Sequence, residues 1–191
     1  MRILLAVPHG SKTLEPECVE ALWTMDRCGH EVVLRIVDGY DCARARNKIA
    51  QTSIDLICDK CMMVDSDVVV PKDALGHLLE GDAPVVLGCY LRKDGSGRAE
   101  VFTDVPGTLN VAWDELPDGR FVAAGGGFGC AMVDVGAFRK LPRPWFAYPE
   151  QADGGFISED LRFCALAKEH GLRVEADGRV RCKHIGKRVW E

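Results

Sequence analysis

The chain has 191 residues, 47% of them hydrophobic and 28% charged, with a formal net charge of −5. This length and apolar content are enough for one ordinary domain, residues 1–191, with a core of its own. The acidic balance supplies no global positive field to hold nucleic acid or an anionic membrane surface, so partners must be recognised locally.

The opening "RILLAVP" is a short apolar run that ends at a Pro-His-Gly turn. It is too short for a signal segment or a membrane span and reads as a first strand. Val19, Leu22, Trp23 and Met25 have helical spacing, with Gly29 closing the segment. "HEVVLRIVDG" reads as a second strand, "DCARARNKIAQTS" as a second helix, and "KCMMVDSD" as a third strand with carboxylates at its end. Pro71 suits the first turn of the helix "PKDALGHLLEG", and "PVVLGCYL" is a further strand. Residues 98–123 show no clear period, and Gly and Pro cluster at 94–127 and 142–155 as long loops. "GGGFGCAMVDVGAF" joins a glycine-rich bend to a short strand and a helix start. "SEDLRFCALAKEHG" reads as a helix between an N-cap at Ser158 and a stop at Gly171, and "LRVEAD" and "VRCKHIG" as edge strands. Alternating strands and helices imply an α/β fold with a mostly parallel central sheet.

Nine cysteines is an odd number, and several lie in apolar periodic segments where small buried thiols are common. A reducing, cytoplasmic setting is therefore expected in place of a disulfide framework. Cys58 and Cys61 form a C-x-x-C, but no second pair stands at zinc-ribbon spacing and the motif opens no helix, so both are expected to be packing residues.

In open α/β sheets, ligands sit beyond the carboxyl ends of the strands, where Pro8 to Gly10, Asp38 and Asp65 to Asp67 fall. In Asp65-Ser66-Asp67, strand alternation would send both carboxylates to one side and Ser66 to the other. Paired carboxylates suit a hard divalent cation that keeps positions open for phosphate oxygens. The same three residues also fit an Asx turn in which Asp65 caps nearby amides. Glu159 and Asp160 belong to the first turn of a helix, where the positive dipole end favours acids, so capping competes with catalysis. His184 lies between Lys183 and Lys187-Arg188, a basic tail that is either solvated or a clamp for phosphate.

Together these segments resemble the nucleotide-sugar-dependent glycosyltransferases of the GT-A fold, Rossmann-like and close to the small bacterial and phage-type members of glycosyltransferase family 2. "ARARNKIA" is similar to the family's Ala-Arg-Asn helix, "MMVDSDVVVP" to its Asp-x-Asp segment and "GGGFGCAMVDVGAFRKL" to its glycine-rich acceptor-side loop. "PWF", "SEDLRFCALAKEHGL" and "CKHIG" follow in the family's order, so the likeness covers most of the chain.

The resemblance implies Pro8 and Asp38 along the nucleoside pocket, Arg46 and Asn47 near the base or diphosphate, and Gly126 and Gly127 beside the nucleotide sugar. Asp65 would contact ribose or metal, Asp67 would ligate Mn²⁺ or Mg²⁺, and His184 would complete the metal or pyrophosphate contacts. Asp160 resembles the general base of inverting members, with Glu159 as its neighbour, and Lys187 would help hold the diphosphate. The donor would be a UDP- or GDP-linked sugar and the acceptor an unidentified hydroxyl. The chain departs from the family in being shorter than most members and in reading "VDGYD" where the best-known inverting branch has paired acids. A non-catalytic nucleotide- or sugar-binding module on the same fold is the main alternative. A sugar nucleotidyltransferase fits less well, because those enzymes open with G-x-G-[TS]-R-L and this chain has "PHGSKTLE". Few basic residues interleave with aromatics, which argues against a nucleic-acid module.

Overall fold

Every residue from Ile3 to Val7 is at most 1% exposed, so the first strand, β1 (Arg2–His9), is buried on both faces. Its side chains alternate: Ile3, Leu5 and Val7 enter one core, Leu4 and Ala6 the other. Strands covered on both faces read as continuous apolar runs, as parallel sheets between two helical layers require.

The computed structural model describes residues 1–9, 14–39, 41–103, 110–151 and 154–186 and the backbone of 189–190. After β1 come α1 (Pro16–Thr24), β2 (Glu31–Asp38), α2 (Cys42–Asp55), β3 (Lys60–Val64), the two-residue β4 (Val68–Val69) and α3 (Ala74–Leu79). Then follow β5 (Val85–Tyr90), β6 (Arg98–Phe102), β7 (Asn110–Ala112), β8 (Arg120–Val122), β9 (Gly125–Gly126) and β10 (Cys130–Asp134). The chain finishes with α4 (Val135–Lys140), α5 (Glu159–Glu169), β11 (Val174–Ile185) and β12 (Val189–Trp190).

The main sheet has the order β12-β11-β5-β10-β3-β1-β2, with β4 and β8 also paired to β11. Between β2 and β11 along this order, β10 alone runs against its neighbours, so the sheet is mixed but mostly parallel, as expected. A smaller sheet, β7-β6-β9, lies apart from it. Residues of α1 and α3 complete one core with Leu22, Met25, Leu75 and Leu78. Residues of α2, α4 and α5 complete the other with Ile49, Phe138, Phe163 and Leu166. No helix among the described residues is long and apolar enough to cross a membrane. All nine cysteines are free, with Cys58 and Cys61 at 5% and 0% exposure in the core.

Local chemistry explains most boundaries. Asp41 caps α2 by accepting a hydrogen bond from the Arg44 amide at 2.8 Å. Gly171, at φ 72°, ends α5 in the left-handed region that glycine tolerates. Ser158 stands at the N-cap position of α5, but its side chain makes no capping bond.

In α1 the buried face is Cys18, Leu22 and Met25, whereas Val19 and Trp23 turn outward. The two segments expected as edge strands form one strand, β11, inside the sheet. It is flanked by β5 and β8 in its first half and by β4 and β12, which both pair His184 and so take opposite sides, at its end, and its register with β5 slips between Asp177 and Arg181. The described residues of the aperiodic stretch 98–123 supply three short strands, β6 and β7 in the smaller sheet and β8 beside β11 in the main one, each too short to carry a clear period.

Candidate functional site

The carboxyl ends of β1, β2 and β3 lie side by side, with His9 in register with Asp38 and the Asp65 amide donating to the Gly129 carbonyl at 3.0 Å. β3 itself stops at Val64. Residues 65–68 form a tight turn closed by the Val68 amide on the Asp65 carbonyl at 3.1 Å, so turn geometry and not strand alternation aims the two carboxylates. They face different partners.

Asp65 faces Arg46. The guanidinium is 2% exposed and lies 3.0 Å from Asp65 Oδ1, while its Nε donates to Glu159 Oε1 at 3.1 Å and its Nη1 to the Phe128 carbonyl at 3.3 Å. One side chain on α2 thereby joins the end of β3, the first turn of α5 and the glycine-rich loop. Burial alone would lower the Arg46 pKa, but Asp65, Glu159 and Asp160 outweigh it and hold the group firmly charged. Burial pushes the Glu159 carboxyl up, with Arg46 opposing. Asp160 is half-buried beside it, with one oxygen accepting from the Leu161 amide at 2.8 Å.

Asp67 faces two other groups. Lys93 Nζ is 2.6 Å from its Oδ2, and His184 Nε2 is 3.7 Å from its Oδ1. β-Pairing makes the second contact, since His184 stands opposite Val68 and the Ile185 amide donates to the Asp67 carbonyl at 2.8 Å. Burial alone would raise the Asp67 pKa, yet His184 and Lys93 hold it well below the usual carboxylate range.

Asp67 and His184 fit a divalent cation, whereas Asp65, expected beside them, is held by Arg46 and its oxygens do not gather with theirs within 4.8 Å. His184 Nδ1 is 2.8 Å from the Leu91 carbonyl, which can only accept, so Nδ1 carries a hydrogen and the ring is fixed with Nε2 toward Asp67. Both Asp65 oxygens lie against Arg46 Nη2, at 3.0 and 3.2 Å, while Asp67 already attracts a cation in Lys93. Four carboxylates (Asp65, Asp67, Glu159, Asp160) against two cations (Arg46, Lys93) leave the rim two charges negative with His184 neutral. Arg92 nearby is shared between Asp94, 2.7 Å away, and Glu100, 3.5 Å away.

Pro8 and Asp38 end adjacent strands at the rim, Pro8 buried and Asp38 exposed. Asn47 gives both amide hydrogens to the carbonyls of Ala43 and Phe146, at 2.8 and 2.7 Å, and its oxygen accepts from the Trp145 and Phe146 amides. Three of these four bonds pin the 145–146 segment, and together the four leave no free donor for a nucleotide. Gly126 and Gly127 are buried. A Cβ on Gly126 would lie 2.7 Å from the Glu100 carbonyl, and one on Gly127 would strike the Tyr90 hydroxyl, so both glycines serve close packing. Lys187 and Arg188 lie outside the described residues.

Three rim groups carry no sequence signal of their own. His9 follows Pro8 at the end of β1, and its Nδ1 is buried with no hydrogen-bond partner among the described residues. Tyr90 holds the Gly129 amide at 3.1 Å and packs edge-on against His184, 5.0 Å between ring centres. Lys93 comes from the loop between β5 and β6. Only the Pro-His-Gly turn at a strand end hinted at the first, and nothing in sequence spacing indicated the other two.

Two other places carry polar groups. His77, Glu80 and Asp177 bring ligand-type atoms within 4.8 Å of one another, but Arg179 Nη2 already sits 2.6 Å from Asp177 and 2.7 Å from Glu80. Its guanidinium serves as their cation. On the outer face of α2, Arg44, Asn47, Lys48 and Gln51 line a cavity of about 590 Å³ with Arg143, Pro144 and Trp145. Arg46 points from the opposite face of the same helix, so this groove does not include the rim acids.

No protein-family model matches the sequence, and no curated protein does. Among solved structures, A197 from STIV matches with a TM-score of 0.68 and 21% identity, over 98% of this chain and 87% of that one. A Drosophila β1,4-galactosyltransferase 7 mutant in complex with manganese, UDP-Gal and xylobiose matches with a TM-score of 0.54 and 15% identity, over 98% of this chain and 71% of that one. The mannosyltransferase PcManGT from Pyrobaculum calidifontis, in complex with GDP-Man and Mn²⁺, matches with a TM-score of 0.60 and 15% identity, over 97% of this chain and 57% of that one. At these identities the likeness is one of fold, and the fold is the GT-A-type α/β architecture that these sugar transferases share.

Proposed function

We propose that the chain is a metal-dependent glycosyltransferase that moves a sugar from a UDP- or GDP-linked donor to an acceptor hydroxyl with inversion. The observation that carries this reading is the approach of His184 Nε2 to Asp67 at the rim of a sheet of this fold, with Asp65 in the same turn and two further carboxylates at a helix start. Two solved structures of similar fold hold manganese with UDP-Gal or Mn²⁺ with GDP-Man, which supports a nucleotide-sugar donor here.

Asp67 and His184 would hold Mn²⁺ or Mg²⁺, with Asp65 on the ribose side, and the metal would supply charge neutralisation for the diphosphate as the bond to the sugar carbon breaks. His9 and Asp38 line the adjacent strand ends, where the nucleoside would lie. Glu159 is bound to Arg46 and therefore orients it, leaving Asp160 as the base. Asp160 takes the proton of the acceptor hydroxyl while its oxygen attacks the sugar carbon and the nucleoside diphosphate departs from the opposite side. Such base assistance is worth about 10²–10⁴-fold in rate.

The rim's negative balance predicts that the diphosphate binds poorly until a divalent cation is present. Thermal unfolding in the presence of UDP, GDP and their sugars should shift only with Mn²⁺ or Mg²⁺, and Asp67→Ala should abolish the shift. Asp160→Ala should keep the shift and lose nucleoside diphosphate release. Absence of any shift with every nucleotide and both metals would overturn the proposal, and binding without release in the wild type would instead mark a non-catalytic module.

A further inference from the structure

Lys93 is the one cation in contact with Asp67 among the described residues, and His184 approaches the same carboxylate from its other oxygen. An ammonium therefore stands on a carboxylate to which the proposed function assigns a divalent cation. We propose that Lys93 is a resident place-holder: it occupies Asp67 while the rim is empty, yields it to the incoming metal, and then turns its charge to the donor's diphosphate. This rests on the proposed metal site.

The geometry allows the exchange without refolding. The Lys93 side chain is 35% exposed and swings on four methylenes. Its loop is anchored independently. Arg92 bonds Asp94 at 2.7 Å, the Ser96 amide donates to Asp94 at 3.0 Å, and the Arg92 and Trp113 amides donate to the Arg98 and Gly97 carbonyls at 2.9 and 3.0 Å. Rotamer motion of such a side chain takes picoseconds to nanoseconds, so Lys93 leaves Asp67 without any backbone change. His184 behaves differently, because its Nδ1 is tied to the Leu91 carbonyl and its ring is held edge-on by Tyr90. The rim thus pairs a fixed ligand with a movable cation. In the empty state Lys93 shares with His184 the task of satisfying the half-buried Asp67 carboxylate. Once the metal arrives, repulsion drives the ammonium away, and the strongest negative group within reach is the diphosphate.

Place-holding and clamping move two affinities in opposite directions, which a merely structural role would not. If Lys93 leaves Asp67 free for about a tenth of the time, Lys93→Met should tighten Mn²⁺ binding about 10-fold, read from the free-ion electron paramagnetic resonance signal without nucleotide. At saturating Mn²⁺ the same variant should bind UDP and GDP several-fold more weakly, read by calorimetry. Lys93→Gln serves the same comparison if the Met variant does not fold. Unchanged Mn²⁺ affinity in a folded variant, with binding still lost in Asp67→Asn, would overturn the place-holder and leave the metal site standing. No Mn²⁺ binding by the wild type or the variant would overturn both.

Discussion

At the scale of single residues, the molecule concentrates its electrostatics on two arginines. Arg46 is buried between Asp65 and Glu159, and removing one member of a buried ion pair leaves the other charge uncompensated. Arg46→Ala should cost about 3–5 kcal/mol, visible as a lower urea midpoint, whereas Arg46→Lys should recover part of it because a point charge cannot span both carboxylates. Arg179 plays the corresponding part for Asp177, which has no exposed surface. Burial alone would raise the Asp177 pKa, but the hydrogen bonds from Arg179 depress it. A depressed acid stabilises the fold above its unfolded value, about 3.9, and loses that contribution as pH falls through its folded value. Asp177→Asn should therefore lower Tm at neutral pH, and the gap from wild type should close on acidification below about pH 4. A constant gap from neutral to acid would refute the assignment.

At the scale of elements, glycine has two unrelated uses. The bend that precedes β10 packs its backbone against Tyr90, and a Cβ on Gly127 would strike the Tyr90 hydroxyl while one on Gly129 would come within 2.7 Å of the ring. Gly136, in α4, would meet nothing within 4 Å. Gly136→Ala should raise stability by about 0.5–1 kcal/mol, because alanine loses less entropy in a helix. Gly127→Ala should lower stability and disturb the rim by displacing Tyr90 from His184. Thermal unfolding of the two variants side by side checks the contrast, and equal effects would show that the bend has slack. β11 makes a related point: its first half carries Asp177 and its second half carries His184, and the slip between them lets one strand serve two distant sites.

At the scale of the whole molecule, both cores share one sheet. β1, β3, β5 and β10 each send alternate residues to either side, as with Met62 and Val64 against Cys61 and Met63. Neither layer can lose its partner without exposing the other's strands to water. Heating should therefore give one transition with equal calorimetric and van't Hoff enthalpies, and two separated transitions would refute this. The charge is uneven as well. With the whole chain at −5, the rim alone holds two of the uncompensated negative charges when His184 is neutral. That local field, screened over roughly 8 Å at physiological salt, acts on whatever binds between the strand ends.

The amino-acid sequence determined the alternation of strand and helix, the mostly parallel sheet, the stop at Gly171, and the placing of acids at the end of β3 and the start of α5. Those features depend on near neighbours, whose periodicity and turn chemistry are local. Only the tertiary structure decided that "LRVEAD" and "VRCKHIG" are one interior strand, that Asn47 binds backbone, that Arg46 is the shared cation of Asp65 and Glu159, and that Lys93 and His184 converge on Asp67. Arg46 and Glu159 are separated by 113 positions. A pairing at that separation is set by strand register and packing, and neither leaves a period in the chain.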